Sequence, residues 1–364
     1  MSSKNKQIID VLKKSECLES KRAMVGFDGV VDSIVKAIKK RTGNVNNEVF
    51  PDIGEFAKHL ESKKGLSCSI ELESVVTKIG GNMPILSNAL GNLGIKVNCL
   101  GSMGYPEIHS VFKALSKNCS FYSVANPGYC TSIEFEDGKI MLAQMDPTFD
   151  VNWENLKSII GLPTLINFFQ KSDVIAMLNW SELVNSSAIW GNIIKEILPE
   201  CTPNKRQLMF FDLSDCSRHG KPELNAAVDM IKVFSEYYSV VLSLNENEAR
   251  LLYAAILVAE EPFDLKDIGE ALFNRLQIDI LVIHPVAFSL AWNKVGVYRV
   301  EGNFIAEPKL STGGGDNFNA GFCAAQLLGL DLTSSLVVAN AMSGFYVKNG
   351  YSAEIEGLIE FLKQ

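Results

Sequence analysis

"KLSTGGGDNFNAGFCAAQLLGL", residues 309–330, sets three consecutive glycines and an aspartate at the head of a run with helical spacing. Glycine lets successive backbone N–H groups turn toward one point with no Cβ in the way. A helix N-terminus adds unpaired donors and a partial positive charge, so the junction suits an anion. Asp316 is the discordant residue, because a carboxylate repels a phosphate. Two readings fit the stretch taken alone. One is a turn with Asp316 as an ordinary helix cap. The other is an anion site in which the amides of Gly313, Gly314 and Gly315 hold phosphoryl charge and Asp316 takes a proton from the attacking hydroxyl. The second reading expects the helix terminus to keep Asp316 ionised, as a weak base.

Outward from this junction, short apolar runs alternate with amphipathic segments of helical length. The strand-like runs are 23–27, 96–104, 173–179, 207–214, 239–245 and 279–285, and between them lie segments such as "PILSNALGNLG", "ELNAAVDMIKVFSEY" and "NENEARLLYAAILVAEE". That alternation predicts an α/β fold with a mostly parallel sheet covered on both faces, and a ligand site beyond the C-terminal ends of the strands. Two regions break the rhythm. "CTSIEFEDGKIMLAQM", 130–145, alternates around Asp137-Gly138 and predicts a hairpin, while 36–78 is rich in charge and ends in "SIELESVVTKIG". Together they predict a small lid of about 36–78 and 121–147 on one domain spanning 1–364.

Bulk composition narrows the function classes. The chain has 364 residues, 47% hydrophobic and 21% charged, with a net charge of -8 and scattered Lys and Arg. A nucleic-acid surface needs a basic footprint and an anionic membrane needs a polybasic segment, so neither partner is expected. The polar start lacks the apolar region of a signal peptide, and no run reaches the length of a membrane span. The eight cysteines show no C-x-x-C spacing, which fits free thiols in a reducing cytoplasm. The four histidines are isolated, with no H-E-x-x-H or triad spacing, which argues against a hydrolase or zinc enzyme.

Residues 310–322, "LSTGGGDNFNAGF", resemble the C-terminal signature of the ribokinase-like, or PfkB-type, carbohydrate kinases, which runs roughly D-T-x-G-A-G-D-x-F-x-x-G-F. Three further stretches follow in the family's order. "IGGNMPILSNALGNLG", 79–94, resembles its N-terminal G-G-N signature, and "SLNENEARLL", 243–252, carries its N-x-x-E element as Asn245 and Glu248. "VVANAMSGFYVKNGYSA", 337–353, resembles the segment beside the adenine, with Asn340 in the matching place. The N-x-x-E pattern is also a helix cap, so both readings stand. In "MVGFDGVVDSIV" the resemblance assigns a sugar-binding aspartate to Asp32, with Asp28 able to share the task. A helix-capping Asp is the alternative.

The resemblance implies a three-layer α/β/α sandwich with a small β lid, and transfer of the γ-phosphoryl group of ATP to a hydroxyl of a small sugar. Asp316 would be the base within the glycine anion hole, and Gly80, Gly81, Asn82 and Trp180 would join the sugar aspartates. Thr312, Asn245, Glu248, His284 and Asn340 would face the nucleotide, with Mg²⁺ reached from Glu248 through water. The lid hairpin would pair two copies into a homodimer. Some positions depart from the family pattern. Leu310 replaces the leading aspartate that helps form a monovalent-cation site, so activation by potassium is not expected, and "IHPVAFSLAW" replaces a glycine-rich nucleotide loop. Asp212, Asp215 and Arg218, after another strand, are candidates for the cleft wall. A nucleoside acceptor, ADP as donor, and a catalytically silent binding protein remain as alternative readings.

Overall fold

Strands whose residues are apolar without interruption are buried on both faces, and here they assemble one large sheet. The computed structural model describes residues 3–14, 16–42, 47–257, 264–310 and 312–364. In chain order its strands are β1 (Arg22–Phe27), β2 (Val30–Lys40), β3 (Glu48–Val49), β4 (Leu72–Gly80), β5 (Lys96–Ser102), β6 (Cys119–Ala125) and β7 (Gly128–Phe135). There follow β8 (Gly138–Gln144), β9 (Val174–Leu178), β10 (Leu208–Asp212), β11 (Ser239–Leu244), β12 (Ile280–Ile283), β13 (Phe288–Asn293) and β14 (Gly296–Glu301). Nine of them form the main sheet in the order β14-β13-β12-β11-β10-β9-β1-β5-β6. From β12 through β6 the pairings are parallel, and β13 and β14 close the far edge as an antiparallel hairpin.

Side-chain alternation divides the core into two layers. Met24, Ile175 and Met177 join the apolar cluster under helices such as Lys221–Tyr237 and Glu246–Ile256. Ala23, Val25, Val174 and Ala176 face the opposite cluster, under helices Asn82–Asn92, Gly314–Leu327 and Leu332–Asn349. The last two helices pack closely enough that a Cβ on Gly321 would lie 2.9 Å from the Cα of Ala339. The expected three-layer α/β fold is therefore present.

A second, five-stranded sheet stands off the C-terminal edge of the first. Its β2 pairs parallel with β7 and antiparallel with β4, β7 pairs antiparallel with β8, and the short β3 adds to β2. β2 follows β1 after only Asp28 and Gly29, and a Cβ on Gly29 would lie 2.0 Å from the carbonyl oxygen of Ser102. Only glycine passes there.

Three sequence expectations need correction. The small sheet begins at Val30, not near 36, because "VVDSIVKAIKK" is itself a strand with its first residues buried between neighbours. Cys119–Ala125 pairs with β5 in the main sheet, so the second piece of the small sheet starts at Gly128 and not at 121. The loop after β12 is only residues 284–287, since Phe288–Asn293 is a strand that pairs with both β12 and β14. The hairpin near 130–145 forms, with Phe135 opposite Gly138 and a two-residue turn between them. The end of the segment from Asn245, residues 258–261, lies outside the described residues. No helix among the described residues is long and apolar enough to cross a membrane.

Candidate active site

Parallel strands end on one edge of a sheet, so residues that follow them in sequence converge in space. Asp28 follows β1, Asn179 follows β9, Asp212 ends β10, Asn245 follows β11 and His284 follows β12. Helix Gly314–Leu327 begins at the same edge, with Gly313 as its cap at φ 98. The Tyr346 hydroxyl donates to the carbonyl of Thr312 at 3.0 Å and pins the loop from the next helix. A Cβ on Gly313 would lie 2.7 Å from that hydroxyl oxygen, so the loop takes this path only with glycine. The first backbone N–H groups of a helix have no partner within it; those of Gly314 and Gly315 find no backbone acceptor among the described residues, while that of Asp316 turns to its own carboxylate.

Asp316 is 8% exposed. Its carboxyl pKa is pushed well above the ordinary range, first by burial and then by the charges of Asp212, Asp28 and Glu248. Here the expectation of a weak, fully ionised base fails. The helix terminus is outweighed by desolvation and three like charges, which make Asp316 a stronger base. The Asp316 carboxylate accepts no side-chain hydrogen bond from the described residues, and the backbone partner it has is its own amide.

The neighbouring carboxylates are occupied. Asp28, with no exposed surface, accepts from the amides of Asn82 and Met83 at 2.8 Å each and from Asn179 Nδ2 at 2.9 Å. It caps helix Asn82–Asn92 from a different strand and lines neither of the cavities that flank the glycine loop, which tells against the assignment of Asp28 to substrate. Gly81, at φ 84, would place a Cβ 2.5 Å from Asp28 Oδ2, and Gly80 would place one 2.6 Å from Asp32 Cγ. The diglycine thus admits two aspartates to the helix start, a tighter function than the expected approach to substrate. Asn82 Nδ2 donates to Ser214 Oγ at 3.0 Å. Asp212 accepts from the Ser214 amide at 2.9 Å and from Asn319 Nδ2 at 2.8 Å, and Asn319 Oδ1 accepts from Ser243 Oγ at 2.7 Å. Burial lifts Asp212 to about 6.

Asn245 and Glu248 form a reciprocal helix cap. Asn245 Oδ1 accepts from the Glu248 amide at 2.9 Å, while both Glu248 oxygens accept from Asn245, at 2.7 and 2.9 Å. Burial, with Asp212 nearby, raises Glu248 to about 8. Trp180 is misplaced by the sequence reading: it is 3% exposed, tilted against Trp190 and His219, and its indole N–H donates to Ser187. It belongs to the core. Of the cleft-wall candidates, Asp215 caps a short turn by accepting from the Ser217 amide, and Arg218 pairs with Glu182 at the surface.

Two cavities flank the glycine loop. One, of about 480 Å³, lies between the small sheet and the segment ending at Thr312, and is lined by Asp32, Ile34, Lys78, Lys139, Leu310 and Thr312. Asp32 and Lys78 are cross-strand partners in β2 and β4. Burial raises the Asp32 pKa, opposed by the charges of Lys78 and Lys139. The second, of about 410 Å³ and mostly apolar, is lined by Asn245, His284, Gly315, Phe318, Asn340 and Val347 among others. His284 stacks on Phe318 with centroids 4.6 Å apart, and burial lowers its pKa to about 4, so the ring is neutral near pH 7. Its Nε2 is buried without a partner among the described residues. Asn340 Nδ2 donates to Ser289 Oγ at 3.0 Å and to the Glu301 carbonyl at 3.1 Å, which ties its helix to β13 and β14.

Sequence reasoning missed Lys78, Lys139, Asn179 and Asn319. The two lysines had a readable signal, since alternation in "SIELESVVTKIG" and around the hairpin puts each on one face of a strand. The two asparagines are visible only through their partners.

A family model described as prokaryotic ketohexokinase matches residues 9–364. A ketohexokinase of Haloferax volcanii is 26% identical over 337 residues, covering 92% of this chain and 89% of that one. Among solved structures, a probable sugar kinase from Rhizobium etli superposes with a TM-score of 0.66 at 16% identity, covering 94% of this chain and 98% of the other. An Arabidopsis thaliana ribokinase complexed with ribose and ATP gives 0.65 at 16% identity, covering 94% and 99%.

Proposed function

The chain belongs to the prokaryotic ketohexokinase family and is a sugar kinase; on that premise we propose that it moves the γ-phosphoryl group of ATP onto a hydroxyl of a ketohexose, with Asp316 as the base. The observation that carries the reading is Asp316 itself, a buried carboxylate with raised pKa and no side-chain hydrogen-bond partner among the described residues, at the head of a helix where Gly314 and Gly315 find no backbone acceptor. A pure binding protein gains nothing from such a group beside phosphate.

In this reading the sugar occupies the 480 Å³ cavity, with Asp32 accepting from its hydroxyls and Lys78 donating across the strand pair. ATP occupies the apolar cavity, with its base along Val347 and Asn340 and its phosphates toward Gly314 and Gly315. His284, neutral, presents Nε2 to the phosphates where the family's glycine-rich loop is missing. The sugar oxygen attacks phosphorus, the bond to ADP breaks, and the hydroxyl proton passes to Asp316. The amides of Gly314, Gly315 and Asp316 hold the charge on the transferring group, each such donor contributing about 2.7–4 kcal/mol to the barrier.

A divalent cation fits this edge only in its hydrated form. The oxygens of Asp212 and Glu248 are engaged by hydrogen bonds, so they would hold Mg²⁺ through its waters, as suits an ion that keeps several. Bound there, Mg²⁺ would neutralise phosphate charge and relieve the repulsion among the carboxylates. The Leu310 side chain offers no oxygen where the family's leading aspartate would supply a carboxylate to a monovalent cation, so turnover should not depend on potassium.

We further read the small sheet as a lid on a single kinase domain. Leu72, Val75, Val76 and Leu142 are exposed on it, and a second copy of the chain would cover them in a homodimer. Eight free cysteines support a cytoplasmic location, where ATP is at hand.

The test is ADP release measured across ketohexoses, aldoses and nucleosides, with ATP or ADP as donor, for the wild type and Asp316→Asn. Turnover greatest with a ketohexose and ATP, and lost in the variant, is the expected result. Turnover that survives the substitution removes Asp316 as the base, and no turnover with any acceptor removes the kinase reading.

A further inference from the structure

We propose that Lys139, on the small sheet, is a further catalytic residue that places its ammonium on the transferring phosphoryl group. The inference rests on the kinase reading above and goes beyond it, because the chain's family-like stretches, 79–94, 243–252, 310–322 and 337–353, all lie outside β8.

Three observations converge on this side chain. First, Lys139 Nζ donates to Thr312 Oγ1 at 2.5 Å, a contact between residues 173 positions apart that joins the small sheet to the glycine loop. Thr312 immediately precedes Gly313, and consecutive Cα atoms are about 3.8 Å apart, so the cation stands one residue step from the anion hole. Second, the ammonium is in no close ion pair: among the described residues no carboxylate lies within 4 Å of it, although Asp32, which feels its charge, and Glu134 share its cavity. An ammonium carries three donors, and a neutral hydroxyl takes one. Third, three lysines, Lys78, Lys139 and Lys309, line the cavity against two carboxylates, Asp32 and Glu134. A ketose is neutral and does not call for that excess.

The anion that does arrive is the phosphoryl group. As the sugar oxygen bonds to the γ-phosphorus, the electron pair of the breaking P–O bond leaves with ADP and the hydroxyl proton goes to Asp316. Lys139 keeps its own proton and supplies charge alone. Because it sits on the small sheet, that charge reaches the reacting group only when the sheet is seated on Thr312, so sugar enclosure and phosphoryl stabilisation coincide. Lys78 is the weaker candidate, since it faces Asp32 across the strand pair and makes no hydrogen bond to the glycine loop among the described residues.

Steady-state kinetics with ATP and fructose, on folded Lys139→Met, Lys139→Arg and Thr312→Val beside the wild type, test the assignment. The methionine variant should lose about 10²–10³-fold in kcat, the loss typical of one preorganised donor, with KM for fructose within about threefold. Arginine keeps the charge and should recover at least about tenfold over methionine. Thr312→Val keeps the ammonium and should lose less than about tenfold. Unchanged kcat in Lys139→Met overturns the assignment, and so does a loss that lies wholly in KM, which would make the lysine a sugar ligand. Arginine no better than methionine, or Thr312→Val as damaging as Lys139→Met, overturns it in favour of a packing contact or latch. Absence of wild-type turnover on fructose and other ketohexoses overturns the ketose reading and the role of Lys139 with it, an outcome separate from failure in the variants alone.

Discussion

The edge of the main sheet beneath helix Asn82–Asn92 and the glycine loop facing the small sheet each bury aspartates, and they treat them in opposite ways. Asp28 and Asp212 have their oxygens filled by amides and by Asn179, Ser214 and Asn319. Asp32 and Asp316, 7% and 8% exposed, accept no side-chain hydrogen bond from the described residues; Asp32 lines the 480 Å³ cavity, and Asp316 heads the helix whose Gly314 and Gly315 line the other. Burial alone does not mark a functional carboxylate, because desolvation raises all four pKa values. Vacant lone pairs do. A group whose partners are all internal is scaffold, and one buried without them is held in reserve for something that arrives.

The largest effect that can break this distinction is at Asp316. Asp316→Asn should lower kcat by roughly 10²–10⁴-fold, the usual worth of a positioned base, with little change in KM. It should also leave the melting temperature level or higher, since it removes one of several mutually repelling buried charges. Asp28→Asn should do the reverse. Its amide puts an N–H against donors that need an acceptor, which costs about 1–3 kcal/mol of stability. Thermal melts and kinetics on both variants decide: a stable Asp28→Asn, or an Asp316→Asn that unfolds while its surviving fraction turns over normally, sinks the comparison.

Asp32 tests the same idea at the substrate. A hydrogen bond to a charged group contributes about 1.5–3 kcal/mol, so Asp32→Asn should raise KM for the sugar roughly 10–150-fold while KM for ATP stays put. Equal loss toward both substrates would place Asp32 outside the sugar cavity.

How legible these roles are depends on how local they are in sequence. The glycine loop and its proposed base lie within four consecutive residues, Gly313 to Asp316, so that a helix cap and an anion site both read from them locally and the resemblance of 310–322 to a family signature chooses between the two. The main sheet is legible because strands such as Val174–Leu178 are buried throughout and carry an unbroken apolar run. β2 is not, because "VVDSIVKAIKK" opens on paired valines and mixes core with charge, so neither period dominates. Trp180 misleads for a related reason: an indole at a strand end serves a sugar or a core equally well, and only the positions of Trp190 and His219 decide. Asp28 and Asp32 are four residues apart with the same composition around them, yet one meets helix amides and the other a cavity. That difference arises from Asn82 and Lys78, on another strand–helix unit, and no local pattern carries it.

The smallest predicted effect sharpens the comparison through pH. Glu248 has its oxygens filled, as scaffold does, yet burial and Asp212 lift its pKa from 4.5 to about 8. A carboxyl that binds its proton more tightly when folded adds stability below pH 4.5 and loses it as pH rises through about 8. Asp212, raised to about 6, and Asp316 act in the same direction. His284, lowered to about 4 from 6.5, acts oppositely, but its contribution is complete once pH exceeds 6.5. Between pH 6.5 and 8 the nucleotide-free protein should therefore melt at progressively lower temperature. Glu248→Gln keeps a residue suited to the reciprocal cap and cannot ionise. Its melting temperature should fall less steeply over that window, whatever the lost Asn245 contact does to its absolute value. A wild-type melting temperature that rises from pH 6.5 to 8, or a variant slope equal to the wild type's, would mean that the carboxylates at this edge do not strain one another. In that case Asp316 would owe its basicity to burial alone.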